Sequence, residues 1–430
     1  MDQKTDKLIK IIDFWKREAL NDSLFPRDLT NRIDIKSIEV VDIIGPRRSG
    51  KSSVLKLLMR KLPPQSCLYI NFEDPFFFEN NSPSILEEIV SVYENYFSPD
   101  LKYLFFDEIQ NIQAWEKSVR KMRDAQKYKI FVTGSSSKLL SSEISSVLSG
   151  RHLSYKLLPL SFREYMSFKG VIVPDEKSFS IQSDLIAKML KDYLVTGGFP
   201  QIVLTENFEL LKQYYSDIVQ KDIFVRYNVR DRETLQNIGV FLMTNSSKIV
   251  SAASLRRAYG KSHQLVANYV KYFLETLLCF EIRQYYPSLK SRQKSLPKFF
   301  SVDPGMARSV SASFSDDRGR ILETAVFLEL LRREAEIYYW KQQSFDIDFI
   351  VIDRDGQHQV IQVCTDLSSP ETMKRELSSI SKVADRMGIS SATIVTMDRK
   401  EVIDHHGVKV FIIPAYEWFT DLGTQGAAGA

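Results

Sequence analysis

The period of the apolar positions changes several times along the chain, and each change marks an element. Leu8, Ile11, Ile12, Trp15 and Ala19 recur at helical spacing, which predicts an amphipathic helix over residues 7–20. Short apolar runs follow at residues 38–44, 66–72, 102–107 and 130–133, separated by helix-patterned stretches such as 85–96 and 115–122. Buried runs of this length alternating with helices predict a parallel sheet covered on both faces. Leu153–Leu160 reads as one more strand. Beyond Ser161 the pattern turns helical, with Leu185, Met189, Leu190, Tyr193 and Leu194, then Leu210, Leu211, Tyr214, Ile218 and Val219, at three- and four-residue spacing. Residues 255–277 read as helix, Gly-containing turn and helix, and residues 282–286 and 298–302 as a hairpin around the basic stretch Pro287–Ser295. That order predicts a winged helix. A helix from Gly319 and strands at 346–352 and 359–364 predict a further α/β module.

Composition narrows the classes. A chain of 430 residues that is 44% hydrophobic has room for two or three cores. Lys and Arg total 58 against 54 Asp and Glu, so a nucleic-acid surface would have to be local rather than a bulk basic charge. Cys67, Cys279 and Cys364 are far apart with no C-x-x-C pair, which argues against a disulfide framework or a cysteine zinc site. The charged N-terminus, with no apolar run near the ~18 residues of a spanning helix, gives the expectation of a soluble, cytoplasmic protein without a membrane partner. Residues 423–430 read as a disordered tail or an expression remnant.

The chemistry begins at Gly45-Pro46-Arg47-Arg48-Ser49-Gly50-Lys51-Ser52, which fits G-x-x-x-x-G-K-[ST] between a strand and a helix opening at Ser53. Two glycines let residues 45–53 wrap a polyphosphate so that backbone N–H groups point inward at a helix N-terminus. Lys51 is placed to reach the β- and γ-phosphates of ATP and Ser52 to hold Mg²⁺. Downstream, Phe105-Phe106-Asp107-Glu108 ends an apolar strand in two acids, with Asp107 expected to hold Mg²⁺ through water and Glu108 to polarise the attacking water. A base beside the Mg²⁺ aspartate suits a hydrolase rather than a kinase. Glu73-Asp74 is either a solvated turn or part of the phosphate surroundings. Ser135 or Ser136, after the strand at 130–133, is expected near the γ-phosphate, with a plain Ser-rich turn as the alternative. Arg151 is a candidate arginine finger, acting in cis or from a neighbouring subunit of a homo-oligomer, or else a surface arginine. Arg256, Arg257, Lys261 and His263, with Lys290, Arg292, Lys294 and Lys298, would give the winged helix a basic face for DNA phosphates, unless the module only packs.

Taken together, Gly45–Ser52, Asn71-Phe72-Glu73-Asp74, Phe105–Gln110, Thr133-Gly134-Ser135-Ser136, Gly150-Arg151, Pro159–Tyr165, Gly197-Gly198-Phe199-Pro200 and Lys221-Asp222-Ile223 resemble the archaeal and bacterial AAA-type ATPases that carry a C-terminal domain of unknown function. The resemblance implies an AAA-like α/β P-loop core over residues 1–160, a helical lid over 161–230, a winged helix over 231–305 and a restriction-endonuclease-like α/β module over 306–422. That last module resembles a PD-(D/E)XK nuclease, with Glu323 on the helix and Asp348 on the first strand. Where the pattern has Glu-x-Lys, this chain has Gln362-Val363-Cys364, which removes one hard ligand and the cation. Lys374 or Arg375 is the candidate replacement cation. The expectation is therefore an Mg²⁺-dependent ATPase coupled to DNA through its C-terminal region. A nucleotide-gated scaffold for a protein partner and an ATP-regulated nuclease are the alternatives.

Overall fold

The computed structural model describes residues 3–134, 148, 150–173, 176–311, 317–342 and 345–421. Ser135, Ser136 and residues 423–430 lie outside the described residues. The chain divides into two compact units, Met1–Leu158 with Glu275–Leu277 and Pro159–Leu274 with Leu278–Ala430. None of the described helices is long and apolar enough to cross a membrane.

The first unit holds the strands β1 (Val40–Ile44), β2 (Cys67–Asn71), β3 (Tyr103–Asp107), β4 (Lys129–Gly134) and β5 (His152–Lys156) in one parallel sheet of order β2-β3-β4-β1-β5. Each central strand is buried on both faces, and successive residues feed opposite cores. Val40, Ile44, Leu104, Phe106, Ile130 and Val132 join one core with Leu8 and Ile12 of the N-terminal helix Gln3–Asn21 and with the helix Ser84–Tyr96. Val41, Ile43, Phe105 and Phe131 face the other way, onto Val54, Leu55 and Leu58 of the helix Lys51–Met59. Phe105 and Phe131 stack at 4.7 Å across β3 and β4. The C-terminal ends of β1, β3 and β4 are thereby brought side by side, where a parallel α/β sheet binds its ligand.

The second unit opens with helices Phe162–Phe168, Glu176–Thr196, Pro200–Thr205 and Glu209–Asp217, the last running into a π-helical stretch, Ile218–Val225. After the helix Arg232–Thr244 come β6 (Lys248–Ile249), helices Ala252–Tyr259 and His263–Glu275, β7 (Cys279–Gln284) and β8 (Lys298–Ser301). The expected hairpin is present, with Phe280 opposite Phe300. Its connection differs from a basic loop: Leu289–Lys294 is a short helix. The helix Arg318–Arg332 follows, then β9 (Glu336–Lys341), β10 (Asp346–Ile352), β11 (His358–Val363), the helix Pro370–Met387, β12 (Ser391–Thr396), β13 (Glu401–His405) and β14 (Val408–Pro414). β7 pairs in parallel with β9, Arg283 opposite Tyr338, so one nine-stranded sheet runs across residue 305. A joint on this unit explains the Gly-Gly pair. The buried Asp303 carboxylate accepts the Gly198 N–H at 2.6 Å and the Met306 N–H at 2.8 Å. A Cβ on Gly197, whose φ is +75°, would lie 2.0 Å from that carboxylate. Burial raises the Asp303 pKa to about 6.

Candidate nucleotide site

The site is built where β1 turns into the helix Lys51–Met59. Gly50 caps that helix at φ 96°, and Arg48 is also left-handed at φ 70°, a bend that a chain of ordinary residues resists. Gly45 is fixed by space: a Cβ there would sit 2.2 Å from the Leu157 carbonyl oxygen. Leu157 N–H in turn donates to the Ile44 carbonyl at 2.7 Å, so the loop is strapped to the end of β5. The N–H groups of Lys51, Ser52 and Ser53 fall in the first helical turn, which has no helical partners for them. Behind the loop lies Arg27, only 3% exposed, donating to the Ser49 carbonyl at 2.8 Å and the Leu158 carbonyl at 2.9 Å. It braces the face of the loop turned away from a ligand.

The Lys51 ammonium is buried and donates to the carbonyls of Gly45 at 3.1 Å and Pro46 at 3.2 Å. Glu108 Oε1 faces it at 3.9 Å. Asp107, at the end of β3, is fully buried and both of its oxygens are engaged. Tyr69 Oη donates to Oδ2 at 2.8 Å, Asn71 lies 3.4 Å from the same oxygen, and Thr133 Oγ1 donates to Oδ1. Thr133 also accepts the Glu108 N–H at 3.0 Å, which ties the two acids to β4. Burial, and then the adjacent Asp107 charge, hold the Glu108 carboxyl above its ordinary range against the opposing pull of Lys51.

The residues present fit Mg²⁺: Ser52 and Asp107 offer hard oxygen donors beside the loop, and the hydrogen bonds already on Asp107 suit contact through water. Arg47 meets Glu73 at 3.0 Å, while Asp74 is a structural cap that accepts Trp15 Nε1 at 3.1 Å and the Phe76 N–H at 3.0 Å. The sequence assigns no role to Thr133, Tyr69, Arg27 or Gln110. Thr133 and Gln110 lie in stretches that carry the family resemblance, and Thr133 leaves a further signal, a hydroxyl inside an apolar strand next to the acidic one. Tyr69 and Arg27 leave none.

Arg151 requires a correction. Its carbonyl accepts the Val40 N–H at 3.0 Å and its guanidinium lies 3.5 Å from Asp124. It therefore stands at the N-terminal end of β1, the phosphate loop at the other, and five residues of strand separate them by roughly 17 Å. An arginine finger acting in cis is ruled out for it.

The C-terminal candidates are redistributed as well. Arg256, Arg257, Lys290 and Lys294 are exposed, and Lys261 pairs with Asp231 at 2.8 Å. Arg292 is a clamp, its guanidinium over the rings of Tyr285 at 5.0 Å and Tyr338 at 4.7 Å. Lys298 leaves the basic face altogether. It is buried on β8 with its ammonium against Glu323 Oε1 and 3.2 Å from Asp348 Oδ1, beside a cavity of about 440 Å³. Gln362 accepts the Asp348 N–H at 3.0 Å and donates to Glu376 at 2.9 Å, so both ends of its amide are spent on protein groups. Arg375 is committed to Glu376 at 2.6 Å, and burial raises the Cys364 thiol pKa. The cation that pairs with Glu323 and Asp348 is Lys298, from a strand distant in sequence. Glu323, Asp348, Gln362 and Cys364 do not fit Mg²⁺: an ammonium sits between the two carboxylates, and among the described residues no group of three or more His, Cys, Asp or Glu could hold a metal.

Residues 37–166 match a family described as an AAA domain, and residues 187–317 match a domain of unknown function (DUF8612). The chain is 34% identical over 412 residues to the uncharacterized protein MJ1544 of Methanocaldococcus jannaschii, covering 91% of this chain and 90% of that protein. It belongs to the same family. An uncharacterized protein of Haemophilus influenzae is 30% identical over 344 residues, 76% of this chain and 83% of the relative. Among solved structures, Cdc6p from Pyrobaculum aerophilum is similar at 11% identity and TM-score 0.27, over 75% of this chain and 94% of that one. The Aeropyrum pernix ORC1 protein in complex with DNA is similar at 10% identity and TM-score 0.30, over 74% and 93%. The family's N-terminal part is a nucleotide-binding P-loop ATPase domain.

Proposed function

We propose that this protein hydrolyses ATP at the phosphate loop, with Glu108 activating the attacking water. The observation that carries the reading is the meeting of Lys51 and Glu108 at 3.9 Å, both buried, beside a doubly hydrogen-bonded Asp107. Loop N–H groups and Lys51 bind the phosphates, the lysine exchanging two neutral carbonyls for a charged partner. Bound Mg²⁺, held by Ser52 and through water by Asp107, would offset negative charge on the β- and γ-phosphates. Water oxygen attacks the γ-phosphorus, its proton passes to Glu108, and the bond to the ADP oxygen breaks, releasing ADP and phosphate. Substituting Lys51→Ala should abolish turnover by weakening nucleotide binding, and Glu108→Gln should abolish it with binding kept. If the Glu108→Gln protein hydrolyses ATP at the wild-type rate, the assignment fails.

The finer part of the proposal is that turnover moves the C-terminal region on DNA. Its support is the order helix, β6, helix, helix, β7, β8, the plan of a winged helix, with Arg256 and Arg257 exposed on the helix Ala252–Tyr259. The C-terminal α/β module would contribute a scaffold rather than a cutting site. A DNA-coupled enzyme should turn over faster with single-stranded, duplex or branched DNA and bind it less tightly as salt rises. A second reading, a nucleotide-gated switch that holds a protein, is favoured by one observation: Leu185, Val195 and Phe208 are each 47% exposed around a cleft of about 600 Å³ on the second unit. ATPase activity and binding indifferent to every DNA would select it.

A further inference from the structure

We infer that Gln110 is the positioning residue that aims Glu108 during hydrolysis, an inference that rests on the reading of Glu108 as the water-activating group. Glu108 leaves β3 in the left-handed conformation, φ 52° and ψ 43°, and its N–H is held by Thr133. The backbone is fixed, but a carboxylate at the end of three rotatable bonds still has to be pointed. Its two oxygens have different surroundings. Oε2 accepts a hydrogen bond from Gln110 Nε2 at 2.5 Å, whereas Oε1 faces the Lys51 ammonium.

The division has a consequence for the reacting complex. Lys51 must turn toward the phosphates, so its contact with Oε1 is given up when ATP binds. The Gln110 amide, bonded to the other oxygen, need not move, and it keeps Oε1 directed at the space between the carboxylate and the phosphate loop. That oxygen is the one in place to receive the proton of water. The donor is itself rigidly mounted. Gln110 sits in the short turn Ile109–Asn111, whose Ile109 is fully buried and whose Asn111 donates through its side chain to the Phe72 carbonyl at 3.2 Å and through its N–H to the Glu108 carbonyl at 3.2 Å. A hydrogen bond from a rigid element to a catalytic carboxylate is how reach and direction are set together.

Steady-state ATP hydrolysis by the full chain tests this, with binding of a fluorescent ATP analogue measured in parallel. Gln110→Met keeps the length and removes the donor; it should lower kcat on the order of tenfold with KM and analogue affinity unchanged within about twofold. Gln110→Glu keeps the shape but sets a negative charge against Glu108, and should lower kcat further with the same split. In the Glu108→Gln background, Gln110→Met should add no further loss, because a residue that acts through another has nothing left to aim. A Gln110→Met protein that turns over at the wild-type rate, or that loses kcat and nucleotide affinity together, overturns the inference. If the wild type itself does not hydrolyse ATP, the hydrolytic reading falls and takes this one with it; an active wild type with an indifferent Gln110→Met overturns the positioning role alone.

Discussion

Two buried lysines in this molecule face carboxylates and do opposite things. Lys51 rests on two backbone carbonyls, with one carboxylate 3.9 Å away. Lys298 is pressed against Glu323 and lies 3.2 Å from Asp348. Neutral carbonyls are weak competitors for an ammonium, so Lys51 is free to exchange them for phosphate. Two half-buried carboxylates are strong ones, and together they hold Lys298 protonated above its ordinary range despite its own burial. One lysine is poised for a ligand. The other is a structural counterion, locked between Glu323 and Asp348.

The same substitution at both positions would break or sharpen that contrast. Lys298→Met leaves two half-buried carboxylates without their cation and should cost roughly 3 kcal/mol of stability in chemical denaturation, the low end for breaking a buried pair. Lys51→Met should leave stability within about 1 kcal/mol of wild type while removing nucleotide binding. Equal destabilisation by both would end the distinction. Adding Glu323→Gln to Lys298→Met removes one orphaned charge and should recover about 1–3 kcal/mol.

How far the sequence revealed these two sites follows from where their atoms come from. The phosphate loop is contiguous, Gly45 to Ser52, and Asp107-Glu108 ends a single strand, so spacing alone exposes them. Short continuous apolar runs likewise made the first sheet readable, since both faces are buried: Phe105 and Phe131 serve one core while Phe106 and Val132 serve the other. The second cluster draws Lys298, Glu323 and Asp348 from three elements, and Lys298 opens an ordinary hairpin strand, where a basic residue reads as surface. Arg292 misled in the same way, because the rings that receive it, Tyr285 just past β7 and Tyr338 on β9, are far apart in sequence. Contacts made only by tertiary folding leave no spacing to read.

Smaller effects test the surroundings. Burial raises the Asp303 carboxyl to about 6 from its ordinary 3.8. The proton is bound more tightly in the folded state, so this contribution is complete below the lower value and lost as pH rises through the higher one. The stability advantage of wild type over Asp303→Asn should therefore shrink by about 1 kcal/mol between about pH 5 and about pH 7, read from denaturation midpoints; a constant difference would contradict the assigned titration. Least of all, Arg292→Ala should cost about 0.5–1 kcal/mol, the loss of its two ring contacts at a half-exposed site, and should leave ATP turnover unchanged.

The most direct test is hydrolysis of Mg²⁺-ATP by wild type and Glu108→Gln, with nucleotide binding measured on both. Steady turnover by the wild type, turnover reduced at least a hundredfold, on the order expected for loss of a general base, and nucleotide affinity preserved in the variant would bear out the account. Wild-type turnover by Glu108→Gln, or no turnover by either, would contradict it.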